Sequence, residues 1–352
     1  MNNSKHIRML LPVLLVLFIP GYSLLAAELE AAPLFASKDL LEITLAGTFR
    51  TINRSRDKER EYDRGLMSWV ENAQENSLEV KYEVRGNFRL REDICNFAQL
   101  WVDMDKDDVD GTVFAQQNSL KLVVQCKNAA SFERYIVKEH QAYQLFNVIS
   151  DLSYRSRLLR VTYLDTDRDS ERTHLGVFIE HKDGVADRND MKNVDLNKIK
   201  LAELDQLQGT IVSLFMFMVG NTDFSLISAP EDECCHNAKL FQVEGENRYF
   251  PAPYDFDSTG YVNASYAQIN PSLRIRSVRQ RLYRGFCVSE NIMNEALSHF
   301  RTNEEQLLAI AADTTYVNER TARTSVEYLQ DFFAIINDPE ELQDEILDDC
   351  RG

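Results

Sequence analysis

The sequence predicts an α+β chain in two lobes, a sheet-rich half carrying one helix followed by a helical half. Three observations predict it: apolar residues alternate at period two up to residue 127, the period becomes helical from Ser131, and the pattern after Val185 is mainly helical. The boundaries read as a leader over 1–27, a sheet-rich lobe over 28–182 and a helical lobe over 183–352.

In the leader, Lys5 and Arg8 precede the apolar run from Met9 to Ile19, Pro20 and Gly21 end it, and Ala26-Ala27 supply a cleavage region. The run is too short to span a bilayer, so the pattern predicts a signal peptide, export to the periplasm or the extracellular space, and no stable membrane span after cleavage. Removing it takes the formal charge from −17 to −19. So acidic a surface repels nucleic acid and anionic lipid, and the 44% apolar content supplies a core and argues against disorder. Six cysteines, an even number in an exported chain, point to disulfides. Cys95 and Cys126 flank one strand-rich segment and are the first expected pair; Cys234 and Cys235 are expected to find distant partners.

Along the chain, LEITLAGTF, SLEVKYEVRGNFRL and SLKLVVQCK read as strands. From Ser131 to Leu152 the residues Ile136, Glu139, Tyr143, Phe146 and Ser150 share one helical face. LLRVTYLD and HLGVFIEH then form a hairpin around the charged tip DTDRDSERT. The apolar stretch IVSLFMFMV inside 204–219 fits a buried core helix and is too short for a membrane span. NIMNEALSHF, EEQLLAIAA and SVEYLQDFFAII follow with helical spacing, broken at Asp338-Pro339.

Two constellations could carry chemistry. On the strand LKLVVQC, Lys121, Val123, Gln125 and Lys127 share a face, and Glu139 lies in the apolar stripe of the helix. A carboxylate in such a stripe needs a partner, so the expectation is a lysine held by Glu139 and aimed at phosphates, with a solvated Glu139 at the stripe edge as the alternative. After the buried helix come Asn221-Thr222-Asp223, then Cys235-His236-Asn237, then Pro253-Tyr254-Asp255-Phe256-Asp257. Carboxylates and an amide oxygen suit a hydroxyl-orienting base and the oxygen coordination of Mg²⁺. His236 beside two cysteines reads as structural. The acidic runs at Asp103–Asp110 and Asp165–Asp169 fail as calcium loops, because Asp108 and Ser170 stand where glycine is needed. GxSxG, HExxH and GxxxxGK[ST] are all absent from the sequence.

The ordered set Arg85-Gly86-Asn87, Lys121, Glu139, Glu180, Asn221 to Asp223, Asn237 and Asp255 to Asp257 resembles the CotH family of atypical secreted kinase-like proteins over roughly residues 40–290. The resemblance implies a two-lobed protein-kinase-like fold. It implies that Lys121 binds phosphates with Glu139 as its helical partner, and that Glu180 sits at the hinge against the adenine. Asp223 would be catalytic, with Asn237, Asp255 and Asp257 as metal ligands. The implied activity is phosphoryl transfer from ATP, with Mg²⁺ or Mn²⁺, to a hydroxyl of a protein substrate. Nucleotidyl transfer at the same site, or a non-catalytic secreted or envelope binding protein on the same scaffold, are the alternatives. The oligomeric state is not specified by the sequence.

Overall fold

The computed structural model describes residues 31–56, 58–59, 61–228 and 234–352. The expected signal peptide over 1–27 lies outside the described residues.

Seven strands of the first half close into a barrel: β1 (Leu41–Gly47), β2 (Asp63–Glu71), β3 (Gln74–Arg85), β4 (Gln99–Met104), β5 (Ser119–Val123), β6 (Ser156–Asp165) and β7 (Ser170–Ile179). Their order is β1-β2-β3-β4-β5-β7-β6, all antiparallel except the closing pair, in which β6 runs parallel to β1 with Ile43 opposite Val161. This overturns the two-lobed kinase-like fold with one helix in its sheet-rich lobe. The first half is a closed mixed barrel, and it carries α1 (Pro33–Ala36), α2 (Phe49–Ser55) and α3 (Glu133–Ile149). The physical reason is closure. Alternation predicts strands but not that β7 inserts between β5 and β6, nor that β6 returns beside β1 and removes both sheet edges.

Inward-facing Leu45, Met67, Val80, Val102, Leu120 and Val161 fill the barrel. Tyr82 plugs one end, its hydroxyl donating to the Ala46 and Leu66 carbonyls at 3.1 and 3.3 Å. Gly65 makes this possible, since a Cβ there would sit 2.3 Å from the Tyr82 ring.

The second half adds a three-stranded antiparallel sheet ordered β10-β9-β8, from β8 (Lys192–Val194), β9 (Ala238–Gln242) and β10 (Phe250–Pro253). Around it lie α4 (Lys182–Arg188), α5 (Gln206–Val219), α6 (Glu290–Thr302), α7 (Glu304–Ala312), α8 (Glu319–Asn337) and α9 (Pro339–Leu342). As its apolar run predicts, α5 is buried from Gly209 to Val219. Asp205 caps it by accepting from the Gln208 N–H, and Gly220 ends it in the left-handed conformation at φ 67°. Among the described residues no helix is long and apolar enough to cross a membrane.

Helix α3 is the joint between barrel and second half, and it is buried on almost every side. It therefore buries four consecutive polar residues, each answered separately. The Lys138 ammonium lies 4.9 Å from the Tyr261 ring centroid, and Glu139 faces a cleft. His140 Nδ1 is 2.8 Å from Ser156 Oγ, while Gln141 donates to the Ile310 carbonyl and accepts from the Tyr261 hydroxyl.

Three disulfides form among the described residues, which is compatible with an exported protein. Cys95 pairs with Cys126 as expected. The expectation of distant partners for Cys234 and Cys235 is corrected: they bond to each other, because Cys287 pairs with Cys350 at the C-terminus and leaves them no other thiol.

Lys138 has a consequence for pH. Burial, aided by the charges of Arg279 and Arg134, lowers its pKa from 10.5 to about 7. Between those values the unfolded chain binds the proton that the folded chain has released, so stability rises with pH through this window and the penalty is complete below it. Lys138→Met is expected to raise unfolding stability by roughly 2–4 kcal/mol at pH 6, with the gain vanishing toward pH 10. Urea titrations at several pH values measure this.

Candidate functional site

One cleft of about 660 Å³ opens between the end of the barrel, α3, the loop after α5, and the β9–β10 sheet. It brings together Lys121, Glu139, Asp223, Asn237, Asp255 and Asp257, six of the residues singled out in the sequence. Glu180 is not among its lining. It is buried, accepting from the Arg155 N–H at 3.0 Å and from Arg188 Nη2 at 3.0 Å, so its carboxylate serves an internal ion pair.

Lys121 sits opposite Trp101 on β4 and Ile179 on β7. Its Nζ lies 4.4 Å from the Tyr254 ring centroid and 5.3 Å from that of Trp101, an aromatic setting that holds a cation without an acid. Burial, with Arg85 acting in the same direction and Asp255 against it, lowers its pKa to about 7. The expected Lys121–Glu139 ion pair is not formed. Lys127, expected on the same strand face, does not line the cleft, because β5 stops at Val123 and the shared face ends there.

Glu139 instead belongs to a buried cluster with Arg89 and Asp257, joined by the half-buried Arg85 and faced by the exposed Asp255. Burial first, then the Asp257 charge, raises its pKa well above the usual carboxylate range against the pull of Arg89 and Arg85. Arg89 Nη1 meets Asp257 Oδ2 at 3.4 Å, and its Nη2 donates to the Val124 carbonyl. Arg85 donates to the Leu100 and Leu122 carbonyls at 3.1 and 3.4 Å. Both arginines therefore stitch together the ends of β3, β4 and β5 while offering charge to the cleft. Arg85-Gly86-Asn87 forms the turn at this end, with Gly86 at φ 85°.

The opposite wall is built by two left-handed residues, Asn237 at φ 52° and Asp255 at φ 65°. The β9–β10 ladder ends at Ala238 and Pro253, and the Tyr254 N–H still donates to the Asn237 carbonyl. The exposed Asp255 follows, its N–H donating to the Tyr143 hydroxyl at 3.0 Å. Asp223 Oδ2 is 3.0 Å from His236 Nε2, and Asn237 Nδ2 donates to the Asp223 carbonyl at 2.5 Å. The hydrogen bond between the Asp223 and His236 side chains lowers the Asp223 pKa and raises that of His236. Ser225 and His236 exchange backbone hydrogen bonds at 3.1 Å, which locks the pair in register.

Among the described residues no group of three His, Cys, Asp or Glu is arranged to hold a metal. Asp257 is occupied by Arg89 and Ser258, so of the expected ligands the Asp255 carboxylate and the Asn237 Oδ1 remain. That donor set fits Mg²⁺, which takes one or two carboxylates and completes its shell with phosphate and water oxygens.

Comparison of the chain with protein-family models and with curated proteins gives no match. Sequence reasoning missed three contributors. His236 read as structural, and the aromatic setting of Lys121 depends on strand pairing. Arg89 had one signal, an arginine between Phe88 and Leu90 just past the turn.

Arg89→Met is expected to lower stability by roughly 3–5 kcal/mol, because Asp257 is left buried and unpaired. Adding Asp257→Asn is expected to restore part of the loss. Chemical denaturation of the two variants tests the pairing, and additive losses would disprove it.

Proposed function

We propose that the cleft is a phosphotransfer site that takes ATP with Mg²⁺ or Mn²⁺ and moves the γ-phosphoryl group to a hydroxyl of a protein outside the cytoplasm. The observation that carries this reading is the meeting, in one cleft, of a cationic side from Lys121 and Arg85 with an acidic side from Asp255 and the Asp223–His236 pair. Phosphoryl transfer needs positioning and charge stabilisation more than covalent help, and these are what such a cleft supplies.

Lys121 and Arg85 hold the phosphates, and the Trp101 and Tyr254 rings keep Lys121 in place. Asp255 and Asn237 would hold the metal, which would neutralise charge on the phosphate oxygens. With Oδ2 engaged by His236, the Oδ1 of Asp223 accepts the acceptor hydroxyl and takes its proton. The hydroxyl oxygen bonds to the γ-phosphorus, the bond to the bridging oxygen breaks, and ADP leaves.

Calorimetry on the oxidised protein is expected to show Mn²⁺-dependent ATP binding that Asp255→Ala weakens at least about tenfold. Asp223→Asn is expected to keep that binding and to lower transfer of γ-label by about 10²–10⁴. Because the free site must take up a proton on Lys121, affinity is expected to fall as pH rises above about 7, and Lys121→Met abolishes this dependence. Transfer of α-label in place of γ-label would assign nucleotidyl transfer instead. Absence of binding in the cooperatively folded wild-type protein would favour a non-catalytic binding role.

A further inference from the structure

The segment from Ser258 to Cys287 contains five arginines and no acidic residue, in a chain of net charge −17. Two of these arginines serve the fold. Arg281 donates to the Met218 and Tyr328 carbonyls, and Arg284 to the Thr222 carbonyl. Arg279 lies 4.5 Å from the Tyr328 ring centroid. Arg274 and Arg276 differ from them. Both are exposed, and among the described residues neither makes an ion pair or a side-chain hydrogen bond.

Their place gives them a use. They flank Ile275, which is buried and lines the cleft together with Ile269, Pro271 and Val278. The strip therefore presents apolar contacts to the cleft wall and two exposed arginines beside it. Arg134 and Arg279 add positive charge on the neighbouring side, where they help to hold the Lys138 ammonium pKa down. A local cationic rim on an otherwise acidic surface steers an anionic partner to that rim and repels it elsewhere.

We propose that Arg274 and Arg276 dock an acidic stretch of the acceptor protein along residues 269–278, so that a hydroxyl next to the acidic side chains enters the cleft beside Asp223. The hydroxyl's role rests on the phosphotransfer reading, whereas the docking does not. A short acidic peptide suits the strip better than nucleic acid, because a long polyanion would run from two arginines onto the acidic remainder of the surface.

The probe is a labelled peptide of alternating glutamate and serine, titrated by fluorescence anisotropy at low salt. Wild-type protein is expected to bind it and to lose affinity as salt is raised. Arg274→Glu with Arg276→Glu is expected to weaken binding at least about tenfold, and Arg274→Lys with Arg276→Lys to keep most of it. Calorimetric binding of Mn²⁺ and ATP is expected to be the same in wild type and both variants, which shows the cleft intact. No peptide binding by wild type, equal binding by the charge-reversed protein, or tighter binding of a single-stranded oligonucleotide through the same arginines would overturn the docking. If ATP fails to bind while the peptide behaves as expected, the phosphotransfer reading falls and the docking stands.

Discussion

The constraint on which the rest of the structure depends is the burial of charge where the barrel meets α3. Arg85, Arg89, Glu139 and Asp257 all sit in low-dielectric surroundings, and each is tolerable only because the others are there. The arginines also bind the carbonyls of Leu100, Leu122 and Val124, so the ends of β4 and β5 and the side chains that line the cleft are held by the same groups. The cluster lines the cleft of about 660 Å³ that also holds Lys121, Asp223 and Asp255.

From this joint the other wall is set by α5. The helix is buried from Gly209 to Val219, so its end is fixed, and Gly220 turns the chain directly into Asn221, Thr222 and Asp223. The fit around that turn is close. A Cβ on Gly220 would fall 2.1 Å from the Tyr328 hydroxyl, and the Gly260 N–H donates to the Gly220 carbonyl at 3.1 Å. The position of Asp223 thus depends on packing against α8 as well as on its local partners Asn221, His236 and Asn237. Disulfides act at three separate places, on the barrel, at the cleft wall and at the C-terminus, and the bridge spanning the longest loop, Cys287–Cys350, fixes the last residues beside the segment that carries the arginines.

Much of the site was legible in the sequence because the signals were local. Lys121 stood out on an apolar strand, Asp255 interrupted an aromatic run, and Asp223 followed a core helix; in each case a polar side chain had no business being there without a partner. The partners themselves were not legible. Lys121 is answered by aromatic rings and not by Glu139, Asp257 by Arg89, and Glu180 by Arg188, because partnership depends on which segments become neighbours.

The sequence by itself determined the strand segments of the first half, the helix after Ser131, that α5 is buried, and which acids and bases lie among apolar neighbours, and it made Cys95–Cys126 the first expected pair; the sheet β8–β10 inside the half read as helical was not legible. The legible features follow from period, composition and spacing along a short stretch of chain. The tertiary structure alone decided that the strands close into a seven-stranded barrel, that Cys234 bonds to Cys235, and that His236 meets Asp223. Each of these is a contact whose energy depends on the relative placement of segments, and pairing of β6 with β1 across the intervening sheet and helix cannot be read from either strand alone.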